Sequence, residues 1–259
     1  MRRAILSLSV LLIAVSVSTG QYWKTQRFEM MGGLGTTQFF GDIGGFSPSE
    51  NNLGLKDITI RQTRYNVSVA AIYRLWKELN VRLNMTYGAF NATDDRGSNI
   101  TRGFVSTTQF LETALLGEYY FIKNTAENSY LYTRKNILRN RPRSMDARSV
   151  FFGFLARFDL YAFGGVGGLG YMVSANEALE LRGYRDGGVA FVVPAGIGGK
   201  IMMSPELSFG IELGGRYSFS DYLEGYTSQF SKYNDVYYFL NATVTYKFDT
   251  TDRRVWGLR

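Results

Sequence analysis

The side chains that could do chemistry in this chain are carboxylates, arginines, lysines and hydroxyls, because the sequence has no His and no Cys. Disulfides are excluded, and so are zinc centres built from thiolate or imidazole. Every catalytic scheme that needs an imidazole base is excluded too. Gly165, Gly167 and Gly170 spell G-x-G-x-x-G. In a dinucleotide fold that motif follows a strand, opens a helix and precedes an acidic residue by about 20 positions. Here it sits in a run rich in Phe and Tyr, where glycines read as bends and close packing inside a strand. Asp42, Asp94, Asp95, Asp221, Glu224 and Asp235 could supply oxygens to Ca²⁺, but they lack calcium-loop spacing, and solvated turn carboxylates account for them. We assign no catalytic, cofactor-binding or metal-binding residue, and expect no cofactor and no enzyme.

A second set of charges repeats with a different logic. Arg74, Arg82, Glu112, Glu118, Glu212, Arg216 and Lys247 all fall on the polar parity of otherwise apolar runs. Leu79 to Phe90 shows the pattern best. Leu79, Val81, Leu83, Met85, Tyr87 and Ala89 take one parity, and Asn80, Arg82, Asn84, Thr86 and Gly88 the other. A strand sends alternate side chains to opposite faces. Repeated around a closed sheet, this gives an exterior apolar to lipid and a polar lumen. The N-x-S/T triplets that begin at Asn66, Asn84 and Asn241 follow from polar residues spaced two apart and carry no glycosylation signal. A soluble sandwich would also alternate, but its polar parity would be rich in Lys and Glu. Here it is mostly Asn, Thr, Ser and Gly.

The fold class is therefore all-β, an eight-stranded antiparallel transmembrane barrel. The strands are Phe28–Phe40, Arg64–Trp76, Leu79–Phe90, Phe104–Ile122, Leu160–Val173, Val189–Met203, Leu207–Phe219 and Val236–Phe248. Eight such strands leave a lumen just wide enough for side chains to fill. Charges in it must be paired, since unpaired buried charge is costly, so the seven inward charges are read as a lumen network that plugs the barrel. A narrow conducting pore is the competing reading. Short connections at 77–78 and 204–206 alternate with longer ones at 41–63, 91–103, 174–188 and 220–235. Outer-membrane barrels have short periplasmic turns and long external loops, which puts both termini in the periplasm.

Residues 1–20 read as a signal peptide: Arg2 and Arg3, an apolar run from Ala4 to Val17, then Ser18, Thr19 and Gly20. The barrel then occupies 21–248. Tyr246 and Phe248 close it with the aromatic alternation of a barrel's C-terminal assembly signal, and a periplasmic tail follows at 249–259. One connection breaks the length rule. Residues 123–159 should form a periplasmic turn, yet this is a long basic insertion between strands 4 and 5. From Lys123 to Arg148 it carries seven basic and two acidic residues, net +5. The full chain is +7, of which Arg2 and Arg3 supply two. The whole charge excess of the mature protein thus lies in one segment, and the high isoelectric point is no nucleic-acid signature. Arg134, Lys135, Arg139, Arg141, Arg143 and Arg148 are its candidate partner-binding residues, with a solvated loop as the alternative. Val150, Phe151, Phe154, Leu155 and Phe158 fit one face of an amphipathic helix on the inner leaflet. Val150, Phe152, Phe154, Ala156 and Phe158 also fit an extension of the fifth strand, and the helix is preferred.

Gly32-Gly-Leu-Gly-Thr-Thr-Gln-Phe-Phe-Gly-Asp42, the stretch VPAGIGGKIMMSPELSFGIELGGRYSFSDYLEG from Val193 to Gly225, and FGGVGGLGY from Phe163 to Tyr171 resemble segments of the PorG-like outer-membrane barrels of Bacteroidota-type bacteria. The resemblance touches most of the barrel. It implies an outer-membrane protein that anchors or organises a type IX secretion assembly through its periplasmic face. It also implies a partner in the periplasmic ring, a lipoprotein or its companion, with outer-membrane lipids around the barrel and no nucleic acid. The rival expectation is a structural, adhesion or ligand-binding barrel acting through its external loops.

Overall fold

The computed structural model describes residues 27–44, 60–95, 100–123, 158–204, 206–227 and 234–248. Eight strands run in chain order: β1 Phe28–Phe40, β2 Arg64–Arg74, β3 Leu79–Thr93, β4 Val105–Ile122, β5 Phe158–Ala175, β6 Gly187–Met202, β7 Leu207–Ser218 and β8 Val236–Lys247. Each pairs antiparallel with the next, and β8 returns to β1, so the sheet is a closed barrel. Closure leaves no unpaired edge, which is the condition for carrying backbone amides through hydrocarbon. No described helix is long and apolar enough to cross a membrane; the strands are long enough, since a crossing takes about 9–11 residues.

The side-chain distribution is inverted relative to a soluble protein. Leu34, Val67, Val69, Leu83, Leu111, Leu115, Ile197, Ile211, Leu213 and Leu240 face outward and are exposed. Arg82, Glu112, Glu118, Asn80, Asn84 and Thr86 are buried in the lumen. An apolar belt around a whole barrel far exceeds the few hundred Å² that a soluble monomer exposes, and lipid is the solvent that suits it. Phe28, Trp76, Tyr119, Phe121, Tyr246 and Phe248 ring the outside at one end, and Tyr65, Phe191, Tyr217, Phe219 and Tyr238 at the other. Such girdles mark the two membrane interfaces. The protein is a transmembrane β-barrel of the outer-membrane type.

The two rims differ. At the terminal rim, where β1 begins and β8 ends, β2 and β3 meet through residues 75–78. There the amides of Leu75 and Trp76 both donate to the Leu79 carbonyl. Leu75 and Trp76 thus belong to the turn and not to the strand assigned from alternation. At the loop rim β3 runs on to Thr93, because both faces of its last residues are buried, under loops as well as in the lumen. A four-residue helix α1, Glu177–Glu180, sits in the β5–β6 loop. Its cap Asn176 accepts from Leu179 N–H at 3.2 Å and also from Val105 N–H at 3.2 Å, tying that loop to β4. The motif glycines lie in β5, as a barrel strand requires. A Cβ on Gly165 would run into the Leu115 carbonyl of β4, so this position is fixed by a close strand approach and not by a phosphate. Phe158 opens β5 in extended form. Residues 1–20, the rest of 150–158, the basic side chains from Arg134 to Arg148 and the tail 249–259 lie outside the described residues.

Candidate functional site: the filled lumen and its two ends

Strand register decides which inward charges meet. Arg82 stands near the middle of the terminal half, with its guanidinium 1% exposed. It bonds Glu118 from β4 at 2.9 Å and Glu212 from across the barrel at 2.5 Å. The Phe163 ring lies 4.9 Å from its charge centre. Tyr161 donates to the same Glu212 oxygen, and Tyr120 donates to Glu118 at 3.0 Å. One cation therefore serves two carboxylates, and two phenols share the remaining charge. Further towards the loops, Arg216 faces Glu112 at 3.6 Å and lies 4.0 Å from the centre of the Phe239 ring. Tyr237 donates to Glu112 at 2.6 Å.

Nearer the terminal rim, Arg74 pairs with Glu29 at 2.7 Å. Lys247 stands opposite Glu29 in the β1–β8 register, and Lys200 stands opposite Asp159 in the β5–β6 register. Lys200 donates to the Tyr120 hydroxyl at 3.1 Å. Opposite charges on neighbouring strands thus follow one another around the mouth, the sheet arrangement that cross-strand pairing favours. The buried strand charges are Glu29, Glu112, Glu118, Asp159 and Glu212 against Arg74, Arg82, Lys200, Arg216 and Lys247. Five of each leave the described lumen neutral. A neutral, side-chain-filled interior is suited to holding a barrel rigid and not to passing ions.

The loop half of the lumen is apolar. Phe90 and Phe110 stack with centroids 4.2 Å apart, Phe110 and Phe239 at 5.7 Å, and Phe39 and Tyr237 close the group. Ile43, Leu179 and Leu223 come down on it from three loops. The Thr108 hydroxyl donates to the Leu223 carbonyl at 2.7 Å, which fixes the last of these over the plug.

All seven charges assigned to the lumen from parity are buried there. Five of them meet directly, in two clusters: Arg82 with Glu118 and Glu212, and Arg216 with Glu112. Arg74 instead finds Glu29, and Lys247 faces Glu29. Glu29, Asp159 and Lys200 were legible by the same parity and complete the ring; the phenols Tyr120, Tyr161 and Tyr237 were not, since a tyrosine suits either face. Among the loop acids, the expectation of solvated turn carboxylates fails for three. Asp94, Glu224 and Asp235 are 1–2% exposed, because each is turned inward to accept backbone N–H groups. No group of three or more possible metal ligands forms among the described residues.

At the terminal rim Lys123 donates to the Lys77 carbonyl. Burial, with Arg74 nearby, lowers its pKa to about 8. On the lipid side a shallow pocket of about 500 Å³ lies between β4, β5 and β6 at the loop rim, lined by Gln109, Met172, Ser174, Asp186 and Gly187 among others.

No protein-family model matches the chain, and no curated protein does. Solved structures that it resembles include small outer-membrane barrels. Neisserial surface protein A superposes with a TM-score of 0.46 at 10% identity, over 85% of this chain and 97% of that one. A major outer membrane protein from Thermus thermophilus gives 0.42 at 13%, over 85% and 99%. The outer membrane protein W of E. coli gives 0.40 at 14%, over 86% and 98%. Likeness at these scores decides nothing about this chain, whose barrel is established by its own strand pairing.

Proposed function

We propose that this protein is a non-enzymatic outer-membrane barrel that anchors or organises a type IX protein secretion assembly through its terminal rim. On this reading the chain is exported by a signal peptide at 1–20, both termini lie in the periplasm and the four long loops face outward. The observation that carries it is a division of labour. The lumen is filled and its described charges balance, while the net +5 of residues 123–148 falls in the connection between β4 and β5, two strands whose joined ends lie at the terminal rim. A rigid membrane plug with a basic extension is what an anchor needs. Arg134, Lys135, Arg139, Arg141, Arg143 and Arg148 are the proposed contacts. An acidic surface on a periplasmic lipoprotein or ring component is the proposed partner.

A second reading, adhesion or ligand binding through the loops, is favoured by three exposed aliphatic side chains on three loops: Ile60, Ile100 and Leu181. Two variants separate the readings in the native cell. Replacing Arg139, Arg141 and Arg143 with Ala abolishes secretion and assembly under the first and leaves both intact under the second. Shortening loop 41–63 does the reverse. Normal secretion in the arginine variant, with the barrel present at wild-type level in the membrane, would overturn the anchor reading.

A further inference from the structure

The loop rim is closed by segments from separate loops, and their fastenings are carboxylates. Glu224, 1% exposed, accepts the Asp42 amide at 2.7 Å and the Ile43 amide at 3.0 and 3.1 Å. That ties the β7–β8 loop to the β1–β2 loop. Asp235, 2% exposed, accepts the Leu223 amide at 2.9 Å and so sets the neighbouring residue. Asp94 accepts the Gly44 amide at 2.8 Å and the Phe104 amide at 3.3 Å.

These carboxylates differ in one respect. Asp94 has a cation, Arg102, at 3.0 Å. Glu224 and Asp235 have none among the described residues. The charged groups around them are mostly acids as well: Asp235 holds the amide of Leu223, the residue next to Glu224, and raises the cost of ionising Glu224, while Asp42 and Asp221 add like charge from the first and fourth loops. Arg102 is committed to Asp94 and to the Asp42 carbonyl. Arg185 lies over the Tyr222 ring and donates to the Gly187 carbonyl. Two buried carboxylates with no cation cannot both ionise at ordinary cost, and such pairs retain a proton.

We propose that the loop cap is a proton-held latch: Glu224 and Asp235 keep a proton between them while segments 41–44 and 219–227 are seated on the aromatic plug, and its loss releases those segments. Burial and the facing Asp235 push Glu224 well above the usual carboxylate range, and burial pushes Asp235 up as well. The closed cap then binds more protons than the open one. Closure is fully favoured below the ordinary carboxylate pKa of about 4, and weakens as pH rises from there towards the raised values. Opening would lift Ile43 and Leu223 and uncover the rings of Phe39, Phe90 and Tyr237 beneath them. The inference does not depend on which partner the terminal rim engages.

The test is amide hydrogen exchange of the full barrel in lipid vesicles across a pH series, corrected for the intrinsic pH dependence of exchange. The expected result is loss of protection at Asp42, Ile43 and Leu223 as pH rises above the carboxylate range, by up to about tenfold per pH unit for one linked proton. The Phe104 amide, held by the ion-paired Asp94, keeps its protection and serves as reference. The double variant Glu224→Gln, Asp235→Asn keeps both acceptor oxygens and loses both charges, and is expected to hold the cap at its acid-side protection throughout. Protection at those three amides that is flat with pH in the wild-type protein would overturn the latch, and needs no variant to be seen. Unchanged pH dependence in the folded double variant would overturn it equally.

Discussion

Arg82→Ala is the perturbation that reaches furthest into this barrel. The guanidinium is 1% exposed and sits between Glu118 at 2.9 Å and Glu212 at 2.5 Å. Removing it leaves two carboxylates facing each other across the lumen. Loss of one partner from a buried ion pair costs about 3–5 kcal/mol, because the remaining charge is stranded and not because the pair was worth that much. Arg82→Ala should therefore reduce the folding equilibrium constant by roughly two to nearly four orders of magnitude. The triple variant Arg82→Met, Glu118→Gln, Glu212→Gln removes the cation and both charges while keeping volume and the oxygen that Tyr161 donates to. It should recover most of the loss, since apolar or neutral replacement of a whole buried pair is often close to neutral. Equilibrium urea unfolding in vesicles, followed by tryptophan fluorescence and by the folded barrel's gel mobility, measures both. A single variant that loses less than about 1 kcal/mol, or a triple variant as unstable as the single, would refute the network as drawn.

Three further outcomes follow from the geometry. In planar bilayers the purified barrel should stay electrically silent, because the lumen is filled by the Arg82 and Arg216 clusters and by the stack of Phe90, Phe110 and Phe239; steady ohmic steps would contradict this. Leu213→Arg, at an exposed outward position in the middle of β7, should cost about 2–4 kcal/mol in vesicle-based unfolding, and Trp76→Arg at the rim about 0–1 kcal/mol. Equal costs at the two sites would place the lipid belt elsewhere. The Lys123 amine, with its pKa lowered to about 8, should be acylated with a midpoint near that pH, whereas an ordinary lysine titrates near about 10.4. A folded pKa below the unfolded value disfavours the folded state while Lys123 is charged in it. Stability linked to this group therefore rises with pH between those two values, and mass-spectrometric labelling with a midpoint near the ordinary value would contradict its half-buried placement beside Arg74.

Much of the architecture was legible because a strand's period of two leaves little freedom when one face must be apolar. The alternation in Leu79–Phe90 alone separates lumen from lipid, and repeating the reading finds eight strands to within two or three residues at each end. It fails where both faces are buried, as in the last residues of β3, since alternation then disappears from the sequence. The inward charges Arg82, Glu118 and Glu212 could be found from parity, yet their pairing could not. Arg82 and Glu212 are 130 residues apart and meet only because the sheet closes. The aromatic plug was hidden for a different reason. Phe90, Phe110 and Phe239 sit on the parity that is polar elsewhere in the same strands, so a reading that equates inward with polar passes over them. The buried acids Asp94, Glu224 and Asp235 are loop residues, and only the folded loops reveal that backbone amides surround them.

The anchor reading is tested most directly by what travels with the protein out of its native membrane. The tagged full-length barrel should be extracted in mild detergent, cross-linked and purified, and its companions identified by mass. A periplasmic lipoprotein or ring component should be recovered with the wild-type protein, and should be lost when Arg139, Arg141 and Arg143 are replaced by Ala while the barrel itself stays folded. Recovery of the wild-type barrel alone, or of the same companions with the arginine variant, would contradict it.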